Sequence, residues 1–136
     1  MREIKFRGKR FDNGKWESGN LLENQGRNFI YHATSESTIE DNDDGRIVVV
    51  AVEVDPATVG QYTGFQDKNT RKVYEGDVLT DKFESVGVVE WQNGCFVVNF
   101  GDVDVFQISD CFDDTYQMWV IGNIHDGPEL LKGGEQ

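Results

Sequence analysis

Apolar and polar positions alternate along this chain in short runs punctuated by glycine, asparagine and aspartate, a pattern that predicts many β-strands joined by tight turns. Ile4 and Phe6 alternate with Glu3, Lys5 and Arg7 and read as a half-buried strand. Asp12-Asn13-Gly14 signals a hairpin before a strand from about Trp16 to Leu22, and Asn24-Gln25-Gly26 turns into another at residues 28–32. From Ala33 to Gly45 the pattern vanishes, and a long surface loop is expected there. Arg46–Val54 is the most strand-like run. Its four branched apolar residues in succession, Ile47 to Val50, predict a central strand buried on both faces. Asp55 and Pro56 then suit the cap and first position of one helical turn.

Val59–Asp77, reading VGQYTGFQDKNTRKVYEGD, is dense in turn residues and predicts a tightly folded connector between a β-rich front and a β-rich back. Beyond it, Val78-Leu79 opens the back part. Val86–Trp91 and Cys95–Phe100 flank Asn93-Gly94, which favours a two-residue type I′ turn. That turn places Gln92 opposite Cys95, Trp91 opposite Phe96, Val89 opposite Val98 and Gly87 opposite Phe100, so the large aromatics share one face. Further strands are expected at Val103–Ile108 and Gln117–Ile121, with a helical turn capped by Ser109 between them. Pro128–Leu131 suits a single helical turn, and Lys132–Gln136 should fray. The expected architecture is mostly β. An N-terminal β-meander lobe (1–58) and a connector (59–77) lead to a small SH3-like barrel (78–131) packed on the lobe, with a frayed tail (132–136) and one or two short helical turns.

Charge sharpens this picture. The 136 residues carry a net charge of −12, unevenly spread. Residues 1–16 hold six basic side chains against Glu3 and Asp12, whereas after Lys82 only Lys132 faces ten acids. The basic N-terminal strand is expected to be an edge strand whose charges block aggregation, with nucleic-acid contact as the alternative. The acidic back part gives solubility, or else addresses a basic partner or imitates nucleic acid.

Motifs for catalysis are missing. The sequence has no P-loop, HExxH or GxSxG. Gly60-Gln61-Tyr62-Thr63-Gly64 superficially resembles a phosphate loop, but no Lys-Ser/Thr pair and no long helix follow. Glu75 and Asp77 are read as fixing the turn around Gly76. Glu40–Gly45 weakly resembles a calcium loop, yet Ala51 stands where its bidentate Glu is required. Cys95 and Cys111 are read as reduced thiols, and His32 and His125 are too few and wrongly spaced for zinc. The expectation is a non-enzymatic protein with no cofactor and no metal. No apolar run approaches the roughly 18 residues of a membrane span, and the N-terminus lacks a signal-peptide core, so a soluble cytoplasmic protein is expected.

The run VDPATVGQYTGFQDKNTRKVYEGDVL at residues 54–79 closely resembles the signature of the YopX-like family of phage and prophage proteins. MREIKFRGKRFDNGKW, GVVEW at Gly87–Trp91 and VIGNIHDGPELL at Val120–Leu131 extend the resemblance over nearly the whole chain. Thr70 departs from it, standing where glycine is common. The resemblance implies β-rich proteins with an SH3-type barrel, a phage or prophage origin, accessory roles, possible assembly into homo-oligomers and no established activity. The signature positions Gly60, Gln61, Tyr62, Thr63, Gly64, Asp67, Tyr74, Glu75, Gly76 and Asp77 are expected to hold the fold rather than a ligand. Self-association is the expected partnership, with an unidentified protein as a further partner and nucleic acid as the rival reading.

Overall fold

Short alternating runs fold as short strands: thirteen of them, with 3-10 turns as the helical pieces, make up the described residues, 3–32, 37–101, 105–113 and 116–135 of a computed structural model. The protein is mostly β. Its chain divides into two units, residues 1–61 and 62–136. The boundary falls inside the stretch expected to be a connector, which is itself built of strands.

In the first unit the strands are β1 (Phe6–Lys9), β2 (Trp16–Asn24), β3 (Arg27–Tyr31), β4 (Thr38–Asp41), β5 (Ile47–Val50) and β6 (Val52–Val54). Four of them form an antiparallel sheet in the order β6-β3-β2-β1. Gln25 and Gly26, both at positive φ (54° and 76°), make the two-residue turn that sets Asn24 opposite Arg27. Backbone bonds from Asp55 N–H to Lys9 O (2.8 Å) and Phe11 N–H to Glu53 O (3.4 Å) bring β6 back to the end of β1. The crossing needs Gly8, where a Cβ would lie 2.7 Å from Val54 Cγ2. Val54 and Ile30 are the buried apolar centre of this unit. Asp55 caps the 3-10 turn Pro56–Thr58 by accepting from Ala57 N–H (3.0 Å), as the sequence predicts.

Two expectations fail here. β1 is not an edge strand: it pairs with β2 on one side, and on the other Arg7 and Phe6 face Gly60 and Gln61 of β7 (Gly60–Gln66). Its cations are absorbed locally, which is why an interior strand tolerates them. Arg7 and Lys9 lie 4.8 and 5.9 Å from the Trp16 ring centroid, and Arg10 pairs with Asp12 (2.7 Å) and Glu17 (3.3 Å). Nor is residues 38–50 a loop leading to a buried central strand. Thr38 pairs with Val50 through to Asp41 with Ile47, closed by a turn at Asn42–Gly45, and both strands are exposed along their whole length. Burial requires a second layer, and β5 has only β4 as its ladder partner among the described residues. The first residues of the expected loop, 33–36, lie outside the described residues.

In the second unit the rest of β7 pairs with β8 (Lys72–Tyr74), Tyr62 opposite Tyr74. β9 (Asp77–Thr80), β10 (Val86–Gln92), β11 (Cys95–Asn99), β12 (Val105–Gln107) and β13 (Trp119–Asn123) form one antiparallel sheet ordered β12-β11-β10-β9-β13, an open ladder. Asn93 and Gly94 sit at φ 51° and 85°, and the pairs Gln92–Cys95, Trp91–Phe96 and Val89–Val98 form as predicted. The Trp91 and Phe96 rings meet edge to face at 4.7 Å. The core gathers Val73, Leu79, Val89, Val98, Met118 and Val120, with Phe65 stacked on Phe112 at 5.6 Å.

Boundaries shift at the far end. The 3-10 turn spans Ile108–Cys111, with Gln107 rather than Ser109 in the cap position and no side-chain cap. Residues 103–104 of the predicted strand lie outside the described residues. The final 3-10 helix runs Pro128–Glu135, through residues expected to fray; Gln136 lies outside the described residues.

Candidate functional site

The signature residues are spread along β7, β8 and the turns that follow them. Asp67 is buried between Gln66 and the turn Lys68-Asn69. Its Oδ1 accepts from Asn69 N–H and Arg71 N–H (both 2.9 Å), closing an Asx turn, and its Oδ2 accepts from Val120 N–H on β13 at 3.0 Å. Thr63 Oγ1 donates to Val73 O (2.8 Å) and accepts from Phe65 N–H (3.2 Å). Asp77 Oδ2 accepts from Tyr74 N–H (2.8 Å) across the Glu75-Gly76 turn. Gly76, at φ 93°, donates its N–H to Val89 O (2.9 Å) and accepts at its O from Ile124 N–H (3.0 Å). Tyr62 and Tyr74 pack with ring centroids 5.6 Å apart, and Lys68 covers Trp119 at 4.0 Å. Asp67 and Thr63 spend these hydrogen bonds on backbone groups of their own unit. Gly60–Gly64 lies within strand β7 and opens no helix, so its N–H groups do not converge as a phosphate cradle requires.

Cys111 is buried, and that burial, followed by the charges of Asp110, Asp113 and Asp81, pushes its thiol up to about 11, so it is protonated at neutral pH. Cys95 is half-buried and its Sγ donates to Gln92 O at 3.4 Å. His125 belongs to a turn in which its backbone N–H donates to Asn123 Oδ1 (3.0 Å); His32 ends β3 in the other unit. Among the described residues no three His, Cys, Asp or Glu side chains are grouped to hold a metal ion. Among the described residues no helix is long and apolar enough to cross a membrane.

The surface that stands out is the β4–β5 ribbon, and sequence reasoning placed the apolar residues of β5 in the core. Ile39, Ile47 and Val49 fall on one face and Val48 and Val50 on the other, because side chains alternate along a strand. Ile47 is 65% exposed and Val50 49%. A lone two-stranded ribbon is marginally stable in water. Ile39, Ile47 and Val49 together present on the order of 300 Å² of apolar surface on one face, within the range of the largest patch on a typical monomer, which is often functional. The two edges differ. β4 carries Glu40 and Asp41, and the turn carries Asp43 and Asp44, the latter paired with Arg46 at 2.6 Å. β5 has no charge, proline or glycine, and so lacks the usual devices that keep an edge from pairing with another chain.

Comparison with known proteins fits this all-β description. A family model described as "YopX protein" matches residues 5–132. The fold is similar to that of protein EF1440 from Enterococcus faecalis, a crystal structure, with a TM-score of 0.63 at 24% identity over 96% of this chain and 99% of that one. No curated protein matches.

Proposed function

The chain belongs to the YopX protein family, and on that footing we propose that it is a non-enzymatic phage or prophage accessory protein of the host cytoplasm that acts through protein contacts, first with further copies of itself. The observation that supports this reading is the bare edge of β5, four branched apolar residues exposed on a two-stranded ribbon. Two copies joined antiparallel through β5 would extend each ribbon into a four-stranded sheet without bringing like charges together, because β5 itself carries none. The five-stranded sheet of the second unit is read as an SH3-type scaffold. Nucleic-acid binding through β1 is the weaker reading, because Arg7, Lys9 and Arg10 are engaged with Trp16, Asp12 and Glu17.

The test is the molar mass of the pure protein by light scattering at micromolar concentration, with Val49→Lys beside it. The wild type is expected above monomer mass and Val49→Lys at or near monomer, with unchanged far-UV circular dichroism. A monomeric wild type, or a variant that assembles as well as the wild type, overturns the proposal.

A further inference from the structure

A second surface lies wholly within residues 62–136 and is independent of the ribbon. Beside the loop after β9, a groove of about 360 Å³ has Phe100, Phe106 and Tyr116 in its lining. Phe100 and Phe106 meet edge to face at 5.5 Å, and Tyr116 meets Phe83 edge to face at 6.4 Å, so the aromatic lining is held in ring pairs. Three carboxylates, Asp81, Glu84 and Asp110, belong to the same lining. Glu84 and Asp110 are exposed at the rim, but Asp81 is only 4% exposed.

Asp81 is the informative residue. Its Oδ1 accepts from Phe83 N–H (2.9 Å) and Ser85 N–H (3.1 Å), which fixes the loop. Its Oδ2 receives no hydrogen bond from the described residues. That oxygen is free to accept from a ligand. The groove therefore offers one free carboxylate oxygen, two further carboxylates and aromatic side chains in one lining. The Lys82 ammonium already rests 5.2 Å from the Phe83 ring centroid, so an aromatic ring beside the groove attracts cations. A small metal ion does not match, since these carboxylates are not grouped within ligating reach of one point.

We propose that this groove binds an arginine side chain carried on an extended segment of another protein. A guanidinium is flat, stacks on aromatic rings, and presents paired N–H donors to a carboxylate. The segment's backbone has a natural neighbour in β12, which ends the sheet order and holds Phe106, a lining residue of the groove, among its three exposed residues. Charge favours the same partner: from Glu84 onward the chain carries ten acids and one lysine.

The probe is the capped tripeptide acetyl-Leu-Arg-Leu-amide against its citrulline counterpart, which replaces the guanidinium with a neutral urea of the same shape. Binding is followed by amide shifts in the ¹⁵N-labelled full chain. The arginine peptide is expected to shift Phe83, Ser85, Cys111 and Tyr116, and the citrulline peptide to bind about tenfold more weakly. Asp81→Asn keeps an oxygen for the two loop N–H groups, and should cost about tenfold in affinity with a native spectrum. If that variant does not fold, Glu84→Gln at the exposed rim takes its place, with an expected loss of about threefold. Equal binding of the two peptides, shifts centred elsewhere, or a folded variant that binds like the wild type overturns the proposal. Methylguanidinium binding as tightly as the tripeptide overturns the assignment to a protein segment.

Discussion

Replacing Asp67 tests whether the signature holds the fold through a single carboxylate. One oxygen fixes the Asx turn after β7, and the other accepts the buried N–H of Val120, 53 residues further along the chain. Asp67→Ala removes both acceptor oxygens and all three bonds. The two turn N–H groups can recover water at modest cost, but the Val120 N–H is buried and loses a charge-assisted bond, at about 1.5–3 kcal/mol. With the turn included, the total is about 3 kcal/mol, a large fraction of a typical stability of roughly 5–15 kcal/mol. For a chain of this size that is a melting temperature about 10 °C lower. Asp67→Asn separates the contributions: the amide oxygen keeps the turn, but its NH₂ faces the Val120 N–H donor to donor. It should cost about 2 kcal/mol, most of the alanine penalty. Urea unfolding gives both stabilities, and hydrogen exchange at the Val120 amide reports the lost bond directly. If Asp67→Asn is as stable as the wild type, or Val120 stays equally protected, the keystone role is wrong.

Gly8→Ala should destabilise by about 1–3 kcal/mol through overpacking against Val54, and Val54→Ala in the same chain should recover part of that loss; simple additivity in urea unfolding would refute the contact. Iodoacetamide on the native protein should label Cys95 well before Cys111, read by mass spectrometry of peptides, and equal labelling would contradict the buried, protonated thiol. The same thiol makes stability depend on pH. Its folded value, about 11, lies above the ordinary thiol value of 9.0, so its contribution is complete below about pH 9 and is lost as pH rises through about 11. Cys111→Ser should flatten that alkaline decline.

The parts legible in the sequence were those in which local chemistry decides. Asn93-Gly94 demands φ > 0 at both turn positions, and period-two alternation on either side then leaves one register that keeps Trp91 beside Phe96. Asp55-Pro56 reads as a cap because both residues act on their neighbours. What was not legible depends on distant residues. Nothing near Asp67 announces Val120 as its third partner, and nothing in residues 5–10 announces that Trp16 will take up two cations. β5 misled for a different reason. An apolar run reports a need for cover, and the expectation supplied the cover from within the chain. The one local warning was the acidic segment Glu40–Asp44, which ends three residues before the strand begins.

Burial out of keeping with residue type then separates structural from functional sites. Asp67 and Asp81 are both buried carboxylates, and their partners divide them. Asp67 has both oxygens engaged by backbone N–H groups, whereas Asp81, in the lining of an aromatic groove, has one engaged and one free. The second keeps an oxygen for a ligand. β5 is the apolar counterpart, exposed where its composition calls for cover. The two incomplete surfaces lie in different units, the ribbon in residues 1–61 and the groove in 62–136. Their perturbations should therefore separate. Val49→Lys should reduce the molar mass and leave arginine-peptide affinity unchanged, while Asp81→Asn should do the reverse. A variant that lost both activities at once while still folded would mean that one surface is completed by the other, with an arginine of a second copy as the groove's occupant.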